Sequence, residues 1–350
     1  MHRFKLVLTA VLALCVTLSL ATRAAAQQEP EEPLFDELTR LFQTRALSIG
    51  ALLQTVGTFQ ADRTLPGGNG FSIGTMRLAV YGELDMGFGY FFQTDFTRTR
   101  PLLDASMHYT VAPLLRLDAG LFKVPFSREF LTPAGSIDFV NRARVVASLA
   151  PNRQIGVQAG GSLGNGPLAY AVGLFNGNRF SEANTNDNDN FLYAVRLTYD
   201  AAPARTAESR DRLAVGFNLA FSRDDDVVLI GFPGGFEGDR LLVGVDGRWT
   251  RDRLLVAAEL IAGNLDPVAD GSADPFGWQA TLGYMISEKS QLLFRWDKFE
   301  PDVGVDADDL FIFGYNLWPT SATEIQLNYA IPTTGGFEEH QLLVNLQVGF

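Results

Sequence analysis

From Leu47 to Phe350 apolar residues recur mostly at every second position, which is the period of a strand with two unlike faces. The last ten residues show it most cleanly: Leu342, Val344, Leu346, Val348 and Phe350 alternate with Leu343, Asn345, Gln347 and Gly349. Sixteen such segments of roughly ten residues each can be placed along the chain. Their connections alternate in length. Leu84–Met86, Ala112–Pro113, Thr250–Asp252 and Pro319–Thr320 are short, whereas Ala61–Gly70, Val124–Asn152, Asn178–Asn190, Arg223–Asp239 and Gly263–Pro275 are long. Short turns at one end and long loops at the other are the pattern of a transmembrane β-barrel, and a soluble sandwich has no reason to sort its loops this way. Fourteen strands would result if a weak pair, such as that around Gly263–Pro275, failed to form.

Targeting agrees with a barrel. His2, Arg3 and Lys5 precede an apolar run from Leu6 to Leu20, and Ala24-Ala25-Ala26 supplies a small-residue cleavage site before Gln27. Residues 1–26 therefore read as a secretory signal. Residues 27–46 read as a short periplasmic segment, with Leu34, Phe35, Leu38, Leu41 and Phe42 at helical spacing, and residues 47–350 as the barrel. No later stretch holds eighteen consecutive apolar residues, so no membrane-spanning helix is expected. Cys15, the one cysteine, lies in the signal, which excludes disulfides, thiol catalysis and thiolate metal sites in the mature chain. That mature chain carries 25 basic against 40 acidic residues, net −15, and such a surface repels nucleic acid.

Within this acidic chain, the long gap between Gly120 and Ile155 is basic. It holds Lys123, Arg128, Arg142, Arg144 and Arg153 against Glu129 and Asp138. It is also rich in Phe122, Val124, Phe126, Phe130, Ile137 and Phe139, a composition that demands burial rather than disorder. The place that buries it is the inside of a closed barrel, with the cations facing a pore. The fold expected is thus an all-β, sixteen-stranded antiparallel transmembrane barrel with an inward-folded third extracellular loop. Taking the apolar set of each strand as lipid-facing turns Arg77, Arg116, Arg196, Arg248 and Arg295 inward, because an arginine on the lipid face at midplane costs about 2–4 kcal/mol. These five would line the pore wall and the first five its constriction. Several could instead pair with Asp95, Asp118, Asp246, Glu259, Asp297 or Glu324 on neighbouring strands. Clustered guanidinium and ammonium groups at a narrowing favour anions, and the planar fork of arginine matches phosphate oxygens.

The wording FKVPFSRE, IDFVNRA, R-x-IGVQ and VGLFNG, in this order between Phe122 and Gly177, resembles the phosphate-selective porin O and P family of Gram-negative outer membranes. The resemblance is close over roughly a quarter of the chain and elsewhere lies in pattern only. It implies an outer-membrane porin that lets small anions, with phosphate as one candidate, diffuse passively through a basic constriction. The chain departs from the family's strongest pattern: no strand carries an Arg-x-Arg-x-Arg run. A general, weakly selective small-solute porin is therefore the alternative. The partners implied are outer-membrane lipid and lipopolysaccharide, the outer-membrane assembly machinery through Phe350, small anionic solutes and, by analogy with other sixteen-stranded porins, two further copies in a homotrimer.

An enzymatic or purely structural barrel is a further alternative. An enzyme would need a nucleophile–base or acid–base constellation. The mature histidines His108 and His340 sit in no recognisable motif, so no enzyme and no cofactor are expected. The acidic stretches Asn184–Asn190, Asp224–Asp226 and Asp302–Asp309 lack calcium-loop spacing, and no metal is expected.

Overall fold

The computed structural model describes residues 44–61, 69–177, 186, 188–201, 211–229, 232–268, 271–302 and 308–350. The secretory signal, the lead that follows it and most of the expected helix over 34–45 lie outside the described residues, as does the connection over 202–210. Sixteen strands follow one another: β1 Ser48–Gln60, β2 Asn69–Glu83, β3 Phe88–Asp95, β4 Leu102–Ala112, β5 Leu115–Lys123, β6 Arg153–Ser162, β7 Leu168–Phe175 and β8 Leu192–Ala201. Then come β9 Arg212–Leu229, β10 Phe232–Arg251, β11 Leu254–Pro267, β12 Phe276–Ser287, β13 Ser290–Glu300, β14 Asp308–Thr320, β15 Thr323–Pro332 and β16 Gln341–Gly349. Each pairs antiparallel with its neighbours in sequence, and β1 pairs with β16 from Leu52↔Gly349 to Gln60↔Gln341, which closes the ring. Closure leaves no open edge, so every strand's backbone groups are satisfied inside lipid.

Strand β13 shows why alternation produces this wall. Leu292 and Trp296 are exposed on its outer side, while Arg295 and Asp297, which flank Trp296, are buried inside. The same parity leaves Leu197, Val245, Leu260, Leu346 and Val348 exposed and buries Arg196, Asp246, Glu259 and Asn345. The outer side is thus apolar and matches lipid; the enclosed side is polar. Placing a charge on the outer side tests this directly. Val245→Arg is expected to cost about 2–4 kcal/mol at the bilayer midplane. Urea unfolding in lipid vesicles would measure it, with Val245→Leu as the near-neutral control.

The structure corrects three expectations. The stretch Arg223–Asp239 is not a loop: β9 and β10 extend through most of it, pairing at Gly238↔Asp224 and Phe236↔Val227. Its glycines and aspartates suggested a turn, but Asp224 is buried against Arg240 at 2.8 Å, and Val227, Leu229 and Phe236 bury with Leu265 and Ala273. Tertiary burial outweighs the local turn propensity. Second, β11 runs on to Pro267, into the stretch Gly263–Pro275 expected as a loop; β11 and β12 pair from Leu254↔Tyr284 to Ala262↔Phe276, so all sixteen expected strands form. Third, Leu342 has the parity of the lipid side yet is 3% exposed; Phe59 and Tyr329 stand opposite it on the two flanking strands.

Candidate functional site

The connection between β5 and β6 carries two short helices, α1 (Arg128–Leu131) and α2 (Arg144–Leu149). Its backbone departs from the wall at Ser127, which has φ +66° and ψ 122°, a strained setting for a residue with a side chain. Three bonds hold that turn. The Ser127 amide donates to Asn218 Oδ1 at 3.2 Å, its hydroxyl accepts from Phe130 N, and the Glu129 amide donates to Glu259 Oε2 at 3.1 Å. From there the segment reaches strands on the opposite side of the ring. Asn316 Nδ2 donates to Asp138 O, Gln326 Nε2 to Ile137 O and Gln347 Nε2 to Gly135 O, each at 2.9 Å. Val140 N donates to Asn328 Oδ1 at 2.8 Å, and Arg144 N to Asp297 Oδ2 at 2.9 Å. All these partners belong to the polar face of the wall.

The segment's apolar residues find burial on that same face. Val124, Phe126, Val145, Val146 and Leu149 pack with Phe175, Leu192, Leu242 and Ile261, where Ala194 and Ala220 on the wall leave room for them. Phe139 packs with Leu255, Leu293 and Ile312 and lies 4.2 Å beneath the Arg295 guanidinium.

The ten cations singled out from the sequence fall into distinct settings. Most are ion-paired. Arg77 meets Asp95 at 3.2 Å, Arg116 meets Asp118 at 2.8 Å, Arg153 meets Asp104 at 3.0 Å and Arg196 meets Asp246 at 2.6 Å. Arg248 grips Asp138 through both oxygens at 2.6 and 3.0 Å, and Arg295 meets Glu129 at 2.6 Å. Arg128 adds a second cation to Asp246 at 3.4 Å, and Arg144 lies 3.5 Å from both Asp297 and Asp308.

Lys123 and Arg142 differ: among the described residues neither has a carboxylate partner. Lys123 Nζ donates to the carbonyls of Phe130, Leu131 and Thr132 at 2.7, 3.1 and 3.2 Å, at the negative end of α1. Arg142 Nη2 donates to two of the same carbonyls, Phe130 O at 3.3 Å and Thr132 O at 2.6 Å. The two cations therefore stand side by side. Burial pulls the Arg142 pKa below its ordinary value, with nearby Glu129 acting the other way. The group stays charged at neutral pH because a guanidinium titrates so far above it.

Two of the cavities that adjoin the segment are lined by its cations. The larger, about 1140 Å³, is lined by Arg77, Arg116, Lys123 and Arg153 with Glu83, Asp104 and Asp118. A second of about 360 Å³ is lined by Arg128, Arg248 and Arg295 with Glu129, Asp138 and Glu259. His108 lies on the wall of the larger cavity with Nε2 3.1 Å from both Glu83 oxygens, and His340 Nδ1 is 2.7 Å from Tyr329 Oη. Among the described residues no group of three or more His, Cys, Asp or Glu could hold a metal ion.

Sequence reasoning overlooked the amides Gln326, Asn328, Asn316 and Gln347, and it took Glu129 only as a counter-charge. The signal was present: Gln326-Leu327-Asn328 and Asn345-Leu346-Gln347 place carboxamides at successive inward positions flanking an outward leucine.

A closed sixteen-stranded ring, apolar outside and charged within, defines a porin of the outer membrane, which works by passive diffusion. The sequence model of the family described as phosphate-selective porin O and P matches residues 54–226 of the chain. No curated protein matches the chain in sequence. Solved structures resemble it in fold. An anion-selective porin from Comamonas acidovorans is 12% identical with a TM-score of 0.63, covering 87% of this chain and 99% of its own. OmpF of Salmonella typhi in complex with daunomycin is 10% identical with a TM-score of 0.62, covering 87% and 97%. The trimer form of OmpT from Vibrio cholerae is 12% identical with a TM-score of 0.57, covering 87% and 99%.

Proposed function

We propose that the pore prefers small anions, phosphate among them, and that the β5–β6 segment is the inward-folded third extracellular loop that forms its constriction. The observation that carries this reading is the pair Lys123 and Arg142. The other eight cations stand against carboxylates, so their fields largely cancel; these two do not. Lys123 spends its three N–H groups on carbonyls and acts through its charge. Arg142 keeps Nε and Nη1 without a partner among the described residues, and those donors are offered to a passing anion. Arg128, Arg144 and Arg153 then serve the constriction, and Arg77, Arg116, Arg196, Arg248 and Arg295 the wall, mainly by holding carboxylates in place. Selectivity on this view is moderate, because the cavity also holds acids.

The rest of the reading follows the same line. Residues 1–26 are removed as a signal, 27–46 stay periplasmic, and 47–350 insert as the barrel with Phe350 presented to the assembly machinery. Lipid and lipopolysaccharide surround a homotrimer, in keeping with the trimer form of a protein of like fold. No catalysis and no cofactor are part of the function.

Planar-bilayer recordings of the purified protein under a potassium chloride gradient test the central claim. The reversal potential is expected to show anion preference, and the double variant Lys123→Ala/Arg142→Ala to move it to the unselective value. A wild-type channel that favours potassium would overturn the anion assignment and leave a general small-solute porin.

A further inference from the structure

Resting on that anion reading, we infer that the larger cavity selects anions bearing an apolar ring, such as aromatic monocarboxylates, over bare inorganic anions. A water-filled lumen calls for polar side chains on the enclosed face. On β2 the enclosed face runs Thr75, Arg77, Ala79, Tyr81 and Glu83, and the tyrosine is the one aromatic ring among these five. Its side chain is on the cavity lining and 38% exposed. Phe91 stands directly opposite Tyr81 on β3, with ring centroids 6.1 Å apart, and lines the same cavity. Neither ring belongs to the apolar clusters that bury the segment. Leu52 on β1 lies opposite Arg77 and continues the apolar surface, and Phe122, next to Lys123, closes it from β5.

The cavity therefore has two adjoining characters. The exposed Tyr81 and the partly exposed Phe91, Leu52 and Phe122 share this cavity with Lys123, whose charge no carboxylate partner cancels among the described residues. Exposed apolar surface inside water is unfavourable until something apolar covers it. A hydrated phosphate cannot cover it. A benzoate ring can, by offset or edge contact with the two aromatic rings, while its carboxylate meets the charge of Lys123. The Tyr81 hydroxyl has no hydrogen-bond partner among the described residues and is free to donate to that carboxylate. The volume of about 1140 Å³ admits such a solute with water around it.

Chloride current through single channels, with benzoate, cyclohexanecarboxylate, acetate or phosphate added as blocker, tests this. Benzoate is expected to reduce the current at concentrations about tenfold below acetate, with phosphate no better than acetate. Tyr81→Ser/Phe91→Ser is expected to erase the difference between benzoate and acetate. Equal block by benzoate and acetate in the wild type overturns the inference while the anion reading stands, and needs no variant to fold. Equal block by benzoate and cyclohexanecarboxylate, both ahead of acetate, supports the apolar surface and removes the aromatic requirement. A potassium-selective channel blocked by none of the four overturns the anion reading and this inference together.

Discussion

Glu129→Ala is expected to destabilise the folded barrel by about 3–5 kcal/mol and to enlarge its conductance, because the change leaves a buried guanidinium without its counter-charge. Arg295 is 2% exposed. Its remaining contacts are neutral: Asn141 O at 3.3 Å, Thr281 Oγ1 at 3.3 Å and the Phe139 ring. Glu129 also accepts from Ala143 N at 3.0 Å, just before α2, so one carboxylate ties α1, α2 and β13 together. Glu129→Gln keeps an acceptor for Ala143 and separates the two effects: it should lose the charge pairing yet retain part of the segment's fold. Urea unfolding in vesicles gives the free energy, and bilayer recording gives the conductance. A loss within about 0.5 kcal/mol, as for an ordinary surface change, would show that Arg295 is satisfied without Glu129.

The second large effect is expected from the carboxamides that hold residues 135–140. Gln326→Ala, Asn328→Ala and Gln347→Ala together remove three bonds to that backbone. Each neutral hydrogen bond contributes roughly 0.5–1.5 kcal/mol, so the triple change removes about 1.5–4.5 kcal/mol of the attachment of this stretch. The barrel's own ladder is main chain and is left intact. The channel should therefore still fold, with a larger and noisier single-channel current as the segment swings away from β15 and β16. An unchanged conductance in a folded triple variant would mean that Asn316 and the Arg248–Asp138 pair suffice to hold it.

Why the sequence showed the barrel so fully and the site only in part can be seen in particular residues. Alternation is a local property. Leu292, Phe294 and Trp296 alternate with Leu293, Arg295 and Asp297, and lipid accepts one of these sets only. Period two, chain length and the lengths of the connections then constrain a closed antiparallel ring with little reference to distant contacts. The long strands β9 and β10 were not legible for the converse reason. What extends them is a salt bridge between Arg240 and Asp224 and a small apolar cluster with Leu265 and Ala273, and none of these pairings leaves a local trace.

The cations divide in the same way. Composition alone showed a basic stretch between Lys123 and Arg153 in an acidic chain, and parity showed which wall arginines turn inward. Neither could show which charges survive pairing. Arg153 and Arg142 look alike in the sequence, yet Asp104, 49 residues away, neutralises the first, while backbone carbonyls ten and twelve residues away hold the second and leave its charge standing. Alternation and charge content are written residue by residue, so the sequence by itself determined a two-faced barrel wall and a cationic segment. The electrostatic potential at the pore depends on distances between residues far apart in the chain. Only the tertiary structure decided which of the cations stand against carboxylates, because only there do opposite charges come close enough to cancel.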